Sequence, residues 1–101
     1  MIIYHIVLPA VWDKFEGKEF YEAESLHTEG FIHCSFTEQL DGVLERYYSG
    51  IGEVLVLEID SEKLTSKLVN EPSTNDERYP HIYGAINQDA VSRIVVRKLE
   101  F

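Results

Sequence analysis

The stretch Val54 to Ile59 constrains the fold most, because it is a run of apolar residues that only Glu58 interrupts. A short run of this kind predicts a central, buried strand. Ile2 to Leu8 is also rich in β-branched and aromatic residues and stops at Pro9. It predicts a first strand that ends at a breaker. Ile94 to Leu99 has the composition of a last strand.

One main helix is predicted over about residues 37–49. Its apolar positions recur at helical spacing and define one buried face: Leu40, Val43, Leu44, Tyr47 and Tyr48. The helix has two possible start signals, Ser35 and Thr37, and Ser35 followed three residues later by Glu38 has the spacing of a capping box. Gly50 follows the last of these positions and is expected to end it.

The remaining segments are shorter. They are predicted as strands at 19–23, 31–35 and 67–70, helical turns at 10–15 and 60–64, and a long polar loop at 72–79. The order shows no regular alternation of strand and helix, which favours an α+β fold over a doubly wound one. At 101 residues the chain has the size of one domain. We therefore expect a single α+β domain over residues 1–101.

The net charge of the chain limits the classes of partner that it can bind. Nine Lys and Arg stand against 18 Asp and Glu, for a formal net charge of −9. This charge repels nucleic acid backbones and anionic membranes, so we expect neither as a partner. The start of the chain does not resemble a signal peptide, and no apolar run is long enough to span a bilayer. With one cysteine, Cys34, a cytoplasmic location is expected.

The segment 30–35 is the most informative candidate site. In a strand, side chains alternate, so Phe31, His33 and Ser35 should share one face while Cys34 faces the other way. Cys34 is therefore interpreted as a small buried residue and not as a nucleophile. His33 and Ser35 would project where a helix begins, a geometry that suits a phosphate or carboxylate. The alternative is that Ser35 only caps the helix and His33 is structural.

Three further candidates are single residues. His5 lies within an apolar strand, where it needs a hydrogen-bond partner to avoid a cost of roughly 1–3 kcal/mol. His81 is expected in a loop made rigid by its flanking Pro80 and Gly84. Glu71 ends a predicted strand, where a carboxylate could reach a pocket. The histidines lack the spacing of a zinc site, so no metal is expected.

Together these motifs resemble the family called domain of unknown function 952. The likeness covers nearly the whole chain and rests on Tyr4-His5-Ile6, Trp12, Gly30 to Ser35 with Gln39, Glu71, and Pro80 to Gly84. The resemblance implies a small split-sheet fold like that of ADP-ribosyltransferases, with NAD bound in a cleft between two sheets. It implies that His5 holds the nicotinamide ribose, that His33 to Ser35 contacts nicotinamide, and that Glu71 contacts the acceptor or ribose.

Three functions follow as hypotheses. The first is an ADP-ribosyltransferase-like enzyme that uses NAD, with Glu71 and His33 as catalytic residues. Its ligand-binding residues would be His5, Phe31, Ser35, His81 and Tyr83. The second is a non-catalytic module that binds a nucleotide or another small anion in the same cleft. The third, a metal-dependent hydrolase, would need His5, His33 and His81 to converge. Trp12 is expected to be exposed, which leaves either a monomer or a weak homodimer.

Overall fold

The computed structural model describes residues 1–101 apart from the side chain at position 74. The strands are β1 (Ile2–Val7), β2 (Phe20–Tyr21), β3 (Ile32–His33), β4 (Glu53–Asp60), β5 (Lys67–Pro72), β6 (Arg78–Tyr83), β7 (Ile86–Asn87) and β8 (Val91–Lys98). The α-helices are α1 (Pro9–Asp13), α2 (Glu24–Thr28) and α3 (Leu40–Tyr47). Single 3-10 turns lie at Thr37–Gln39, Ser61–Lys63, Thr74–Asp76 and Gln88–Ala90. The predicted α+β class is confirmed.

The strands form three antiparallel sheets. The first has the order β1-β4-β8, the second pairs β2 with β7, and the third has the order β3-β6-β5. In the first, His5 lies opposite Leu57 of β4 and Ile3 lies opposite Ile59. The run Val54 to Ile59 is thus the central strand of its sheet, as predicted.

Pro80 explains why the third sheet parts from the first. It lies in β6, the middle strand, where a proline has no N–H to give to a neighbour. Its carbonyl accepts from the amide of Cys34 at 3.0 Å, and no return bond from Pro80 can form. Just beyond this point Ser35 pairs instead with Tyr4 of β1, through backbone bonds of 2.9 and 2.8 Å. One bridge therefore joins two sheets that diverge on either side of it.

Two groups of buried residues hold the sheets in place. The larger includes Ile3, Leu57, Ile32 and Ile82, so it spans the first and third sheets. The smaller lies under α3, where Leu44 packs on Val56 and its neighbours. Since these side chains come from distant parts of the chain, burial of apolar area fixes the two sheets against each other.

The main helix is shorter than predicted. The α-helix begins at Leu40 and ends at Tyr47, and a 3-10 turn occupies Thr37–Gln39. The capping box of Ser35 with Glu38 is wrong, because Gln39 fills that role. Its Oε1 accepts from the amide of Phe36 at 2.9 Å, and its Nε2 donates to the carbonyl of Arg78 at 2.7 Å. Gln39 thereby satisfies the helix start and ties it to β6.

Other expectations need correction as well. His81 and Tyr83 lie in strand β6, not in a rigid loop, and the strand begins at Arg78 inside the predicted 72–79 loop. Trp12 is half-buried and packs on Tyr21, with ring centroids 5.3 Å apart, so it is not an exposed aromatic. Across the part of the chain that the structure describes, no helix is long and apolar enough to cross a membrane.

Candidate functional site

A cleft of 540 Å³ opens beside the Tyr4–Ser35 bridge, where β1 and β3 diverge. Its walls contain Tyr4 and His5 of β1, His33 of β3, and Ser35 after that strand. Tyrosines line much of the remainder: Tyr21, Tyr47, Tyr48 and Tyr79. Tyr47 is also largely exposed, unlike the rest of the predicted apolar face of α3. The lining is therefore rich in tyrosine beside aliphatic side chains, with hydroxyl groups distributed around it.

His5 lies in one wall of the cleft with both ring nitrogens bound. Its Nδ1 donates to the carbonyl of His33 at 2.7 Å. Its Nε2 accordingly carries the lone pair and accepts from the hydroxyl of Tyr21 at 2.8 Å. Burial lowers the pKa of His5 to about 4, so the ring is neutral. His5 thus finds the partners that the sequence requires, and it fastens β1 to β3.

His33 and Ser35 lie on the other side of the cleft. The ring of His33 is about half-exposed, and its Nε2 lies 3.1 Å from Glu29 Oε2. Ser35 is buried and held by its backbone pairing with Tyr4. Ser35 does not cap the helix as one reading of the sequence proposed. Its position in the cleft wall leaves a role in ligand binding as a prediction.

Next to His33 lies a cluster of rings on one face of the third sheet. Phe31 stacks on His81 with a centroid distance of 4.3 Å and an angle of 20°. Its ring also contacts those of His33 at 4.9 Å and Tyr83 at 5.3 Å. The contact of Phe31 with His33 confirms that these two side chains share a face. His81 and His33, opposite each other in the β3–β6 register, have ring centroids 5.2 Å apart.

Glu71 completes the cluster from β5. Its Oε1 accepts from His81 Nδ1 at 2.8 Å and also from the hydroxyl of Tyr83. The hydrogen bonds from Tyr83 and then His81 lower the pKa of Glu71, so it is an anion at neutral pH. The same bond to Glu71 raises the pKa of Tyr83. The register that aligns Val69 with His81 places Glu71 within reach of that ring.

The predicted site residues thus fall into two adjoining groups. His5, His33 and Ser35 line the cleft. Phe31, His81, Tyr83 and Glu71 form the ring cluster, and His33 contacts both groups. Glu71 and Tyr83 border a separate shallow depression with Lys67 and Val69.

The thiol and metal hypotheses find no support in this arrangement. Cys34 is buried, and burial raises the pKa of its thiol, as expected of a packing residue. Among the described residues, no group of three or more His, Cys, Asp or Glu side chains is placed to hold a metal ion. Both ring nitrogens of His5 already have hydrogen-bond partners, so neither is available as a metal ligand beside His33 and His81.

Sequence reasoning missed several residues of the cleft. Tyr21 binds His5, and Tyr48, the last position of the predicted helical face, lines the cleft instead of serving only the core. Glu29, at the end of α2, contacts His33. The four-residue spacing of Glu29 and His33 predicts a contact between them only if the arrangement of α2 and β3 in space is known, and the sequence does not give that arrangement.

Comparison with known proteins gives the same family that the sequence motifs resemble. The family model described as "Protein of unknown function (DUF952)" matches residues 6–94. Protein CC0527 of Caulobacter crescentus is similar in its crystal structure, with 27% identity and a TM-score of 0.85 over 100% of this chain and 88% of that one. Its solution structure gives 28% identity and a TM-score of 0.84 over 98% and 86%. No curated protein matches the chain.

Proposed function

Because the chain belongs to the family of proteins of unknown function called DUF952, its function has to be argued from its own geometry, and we propose that it binds a nucleotide, with NAD or ADP-ribose as first candidate. The observation that carries this proposal is the tyrosine-lined cleft between β1 and β3. Resemblance to ADP-ribosyltransferases, in which NAD occupies such a cleft, gives the choice of ligand.

The size and lining of the cleft suit a planar ring with an attached sugar. Its 540 Å³ lies within the range of about 300–1,000 Å³ that small-molecule sites occupy. Tyrosines offer an apolar face for a ring and a hydroxyl for a sugar oxygen. Tyr4 and Tyr48 supply such faces from two different elements, β1 and the residue after α3.

The charge distribution decides how a dinucleotide would lie. The described residues that line the cleft include no Lys or Arg, so its interior favours the nicotinamide and ribose, neither of which is anionic, over phosphate. Arg46 donates to the hydroxyl of Tyr79, a lining residue, at 2.9 Å. A pyrophosphate beside Arg46 would keep contact with a cation and with water. This arrangement accommodates an anionic ligand on a chain of net charge −9.

Each wall has a distinct part in the proposed binding. His33 and Ser35 contact the ligand directly, as the sequence predicts. His5 is a positioning residue in its observed state, because a direct bond to ribose would require it to exchange one of its two partners. Phe31, His81 and Tyr83 extend the ring surface beyond His33.

For an enzyme, His33 and Glu71 are the proposed catalytic residues. The bond between the nicotinamide nitrogen and the ribose carbon would break, and an acceptor hydroxyl would bond to that carbon. The hydroxyl proton would pass to His33, whose half-exposed ring can meet an acceptor from solvent. Glu71 would stabilise the positive charge that develops on the ribose.

A binding module without turnover is the second candidate function. It is favoured by the place of Glu71, which borders the shallow depression and not the cleft, and which already binds His81 and Tyr83. A ligand seated between β1 and β3 would then lack a carboxylate at its ribose. The two candidates share the binding site and differ only in chemistry.

The test is an amide chemical-shift titration with NAD and with ADP-ribose. We expect saturable shifts at Tyr4, Ser35 and Tyr48, and an affinity that falls about tenfold in His33→Gln as one ligand contact is lost. The control is His27→Gln, since His27 is an exposed histidine that pairs with Glu22 outside the cleft. No saturable shift at millimolar NAD or ADP-ribose would refute the proposal.

Turnover is then measured separately, as release of nicotinamide from bound NAD. Release that stops in Glu71→Gln while NAD still binds identifies the enzyme. Saturable binding with no release over hours identifies the binding module. Equal affinity of His33→Gln and wild type would contradict the placement of the ligand beside β3.

A further inference from the structure

Among the side chains that the structure describes, one buried polar atom has no partner. Among the described residues, Nε2 of His81 is the buried side-chain nitrogen that makes no hydrogen bond, although 96% of its side chain is removed from solvent, with 4% exposed. Buried polar groups are nearly always hydrogen-bonded. By contrast, both nitrogens of the other buried histidine, His5, are bound.

The partner of the other nitrogen fixes the chemistry of Nε2. Nδ1 of His81 faces Glu71 Oε1 at 2.8 Å, and a carboxylate can only accept, so Nδ1 carries the proton. Tyr83 donates to the same oxygen and holds the carboxylate in place. In a neutral imidazole the remaining nitrogen is an acceptor. Nε2 therefore presents an unused lone pair, on the side of the ring away from Glu71.

Phe31 covers the ring that carries this lone pair. It lies nearly parallel to His81, with 4.3 Å between centroids, the geometry that a bound aromatic ring would adopt. Phe31 is half-buried. Gly30, which precedes it, has a φ of 91°, a backbone angle that residues other than glycine rarely adopt. His33, the neighbour of Phe31, borders the cleft, so a ligand has a route to this surface.

We propose that His81, oriented by Glu71 and Tyr83, is a hydrogen-bond-accepting site for an aromatic ring that carries an O–H or N–H group on a one-carbon arm and that displaces Phe31. The incoming ring takes over the stacking contact, and its arm brings the donor into the plane of the imidazole, where the lone pair of Nε2 lies. A ligand without the donor would leave Nε2 unpaired, so the site selects for the donor. The proposal rests on the ligand cleft proposed above only for the route of entry.

Benzyl alcohol and benzyl methyl ether form a matched pair of probes, since a methyl group replaces the hydroxyl proton in the second. Each is titrated into protein labelled with 15N at histidine, and the Nε2 resonance of His81 is followed. We expect benzyl alcohol to shift this resonance saturably, and to bind about tenfold more tightly than benzyl methyl ether, the effect of one hydrogen bond to a buried group. His81→Phe keeps the ring and removes the acceptor, so it should abolish the difference between the probes.

Two further results decide the proposal. Phe31→Ala should tighten binding of both probes by the same factor, because the covering ring is gone. Equal affinity of benzyl alcohol and benzyl methyl ether for the wild-type protein would overturn the proposal, and that comparison stands even if His81→Phe does not fold. A preserved difference between the probes, with no NAD shifts at Ser35 and Tyr48, would overturn the proposed cleft function alone.

Discussion

His5 should make the stability of this protein depend on pH in a way that one substitution removes. Its ring is neutral and buried, donates to the carbonyl of His33 and accepts from Tyr21. The perturbation is His5→Gln, because glutamine also offers a donor and an acceptor but does not titrate. The substitution should lower stability at every pH and also change its pH profile.

The magnitude follows from the depressed pKa, about 4 in the folded protein against a reference value of 6.5. Between these values the unfolded chain binds a proton that the folded protein does not, so stability falls as pH falls. Linkage gives a loss of roughly 2 kcal/mol between about pH 7 and about pH 5 from this one group. At pH values above the pKa of His5 in the unfolded chain, the contribution of this group to the free energy of unfolding is fully present.

The assay is urea unfolding of both proteins at these two pH values. The remaining titratable groups are common to both proteins, so their contributions cancel in the comparison. The wild type should lose roughly 2 kcal/mol more than His5→Gln on acidification. An equal loss in the two proteins would refute the claim that His5 is held neutral by burial.

Three other substitutions or treatments test the packing. Gly84→Ala should lower stability by about 1–3 kcal/mol in thermal unfolding, because φ is 155° and a Cβ would lie 2.8 Å from the Cβ of Ser66; an unchanged midpoint would contradict this. Gly42→Ala should raise stability by about 0.5–1 kcal/mol, since Gly42 lies in α3 and its Cβ would meet only the flexible end of Arg46. Cys34 should resist iodoacetamide at mildly alkaline pH and react only when urea unfolds the chain, because it is buried with a raised thiol pKa; rapid labelling of the native protein would show that it is accessible.

Much of the fold could be predicted from local patterns in the sequence. The long strands β1 and β4 follow from their β-branched runs, and the short turn after β4 follows from Asp60, whose side chain accepts from the amide of Glu62. The elements that sequence reasoning missed are short. α2 has five residues and β7 has two, too few to show a period. Their positions come from tertiary contacts that no local pattern encodes.

The contacts of the candidate site likewise divide into those that local sequence pattern predicts and those that it does not. Alternation along one strand correctly places Phe31 and His33 together. The contact of Glu71 with His81 depends instead on the register between β5 and β6, which is a property of pairing between strands. Pro80 obscured this pairing, because a proline in a central strand argues against a strand. Here it lies where β3 turns away, so its missing N–H costs little.

The single bridge between Tyr4 and Ser35 also bears on how the protein moves. Since buried apolar side chains hold the first and third sheets against each other, the two backbone bonds of this bridge, of 2.8 and 2.9 Å, are the ones that a widening of the adjacent cleft would strain. A ligand that widens the cleft should weaken these two bonds, whereas a ligand that fits without widening it should leave them intact. Exchange of the Tyr4 and Ser35 amides with deuterated water therefore reports on the width of the opening, even for compounds that touch neither residue.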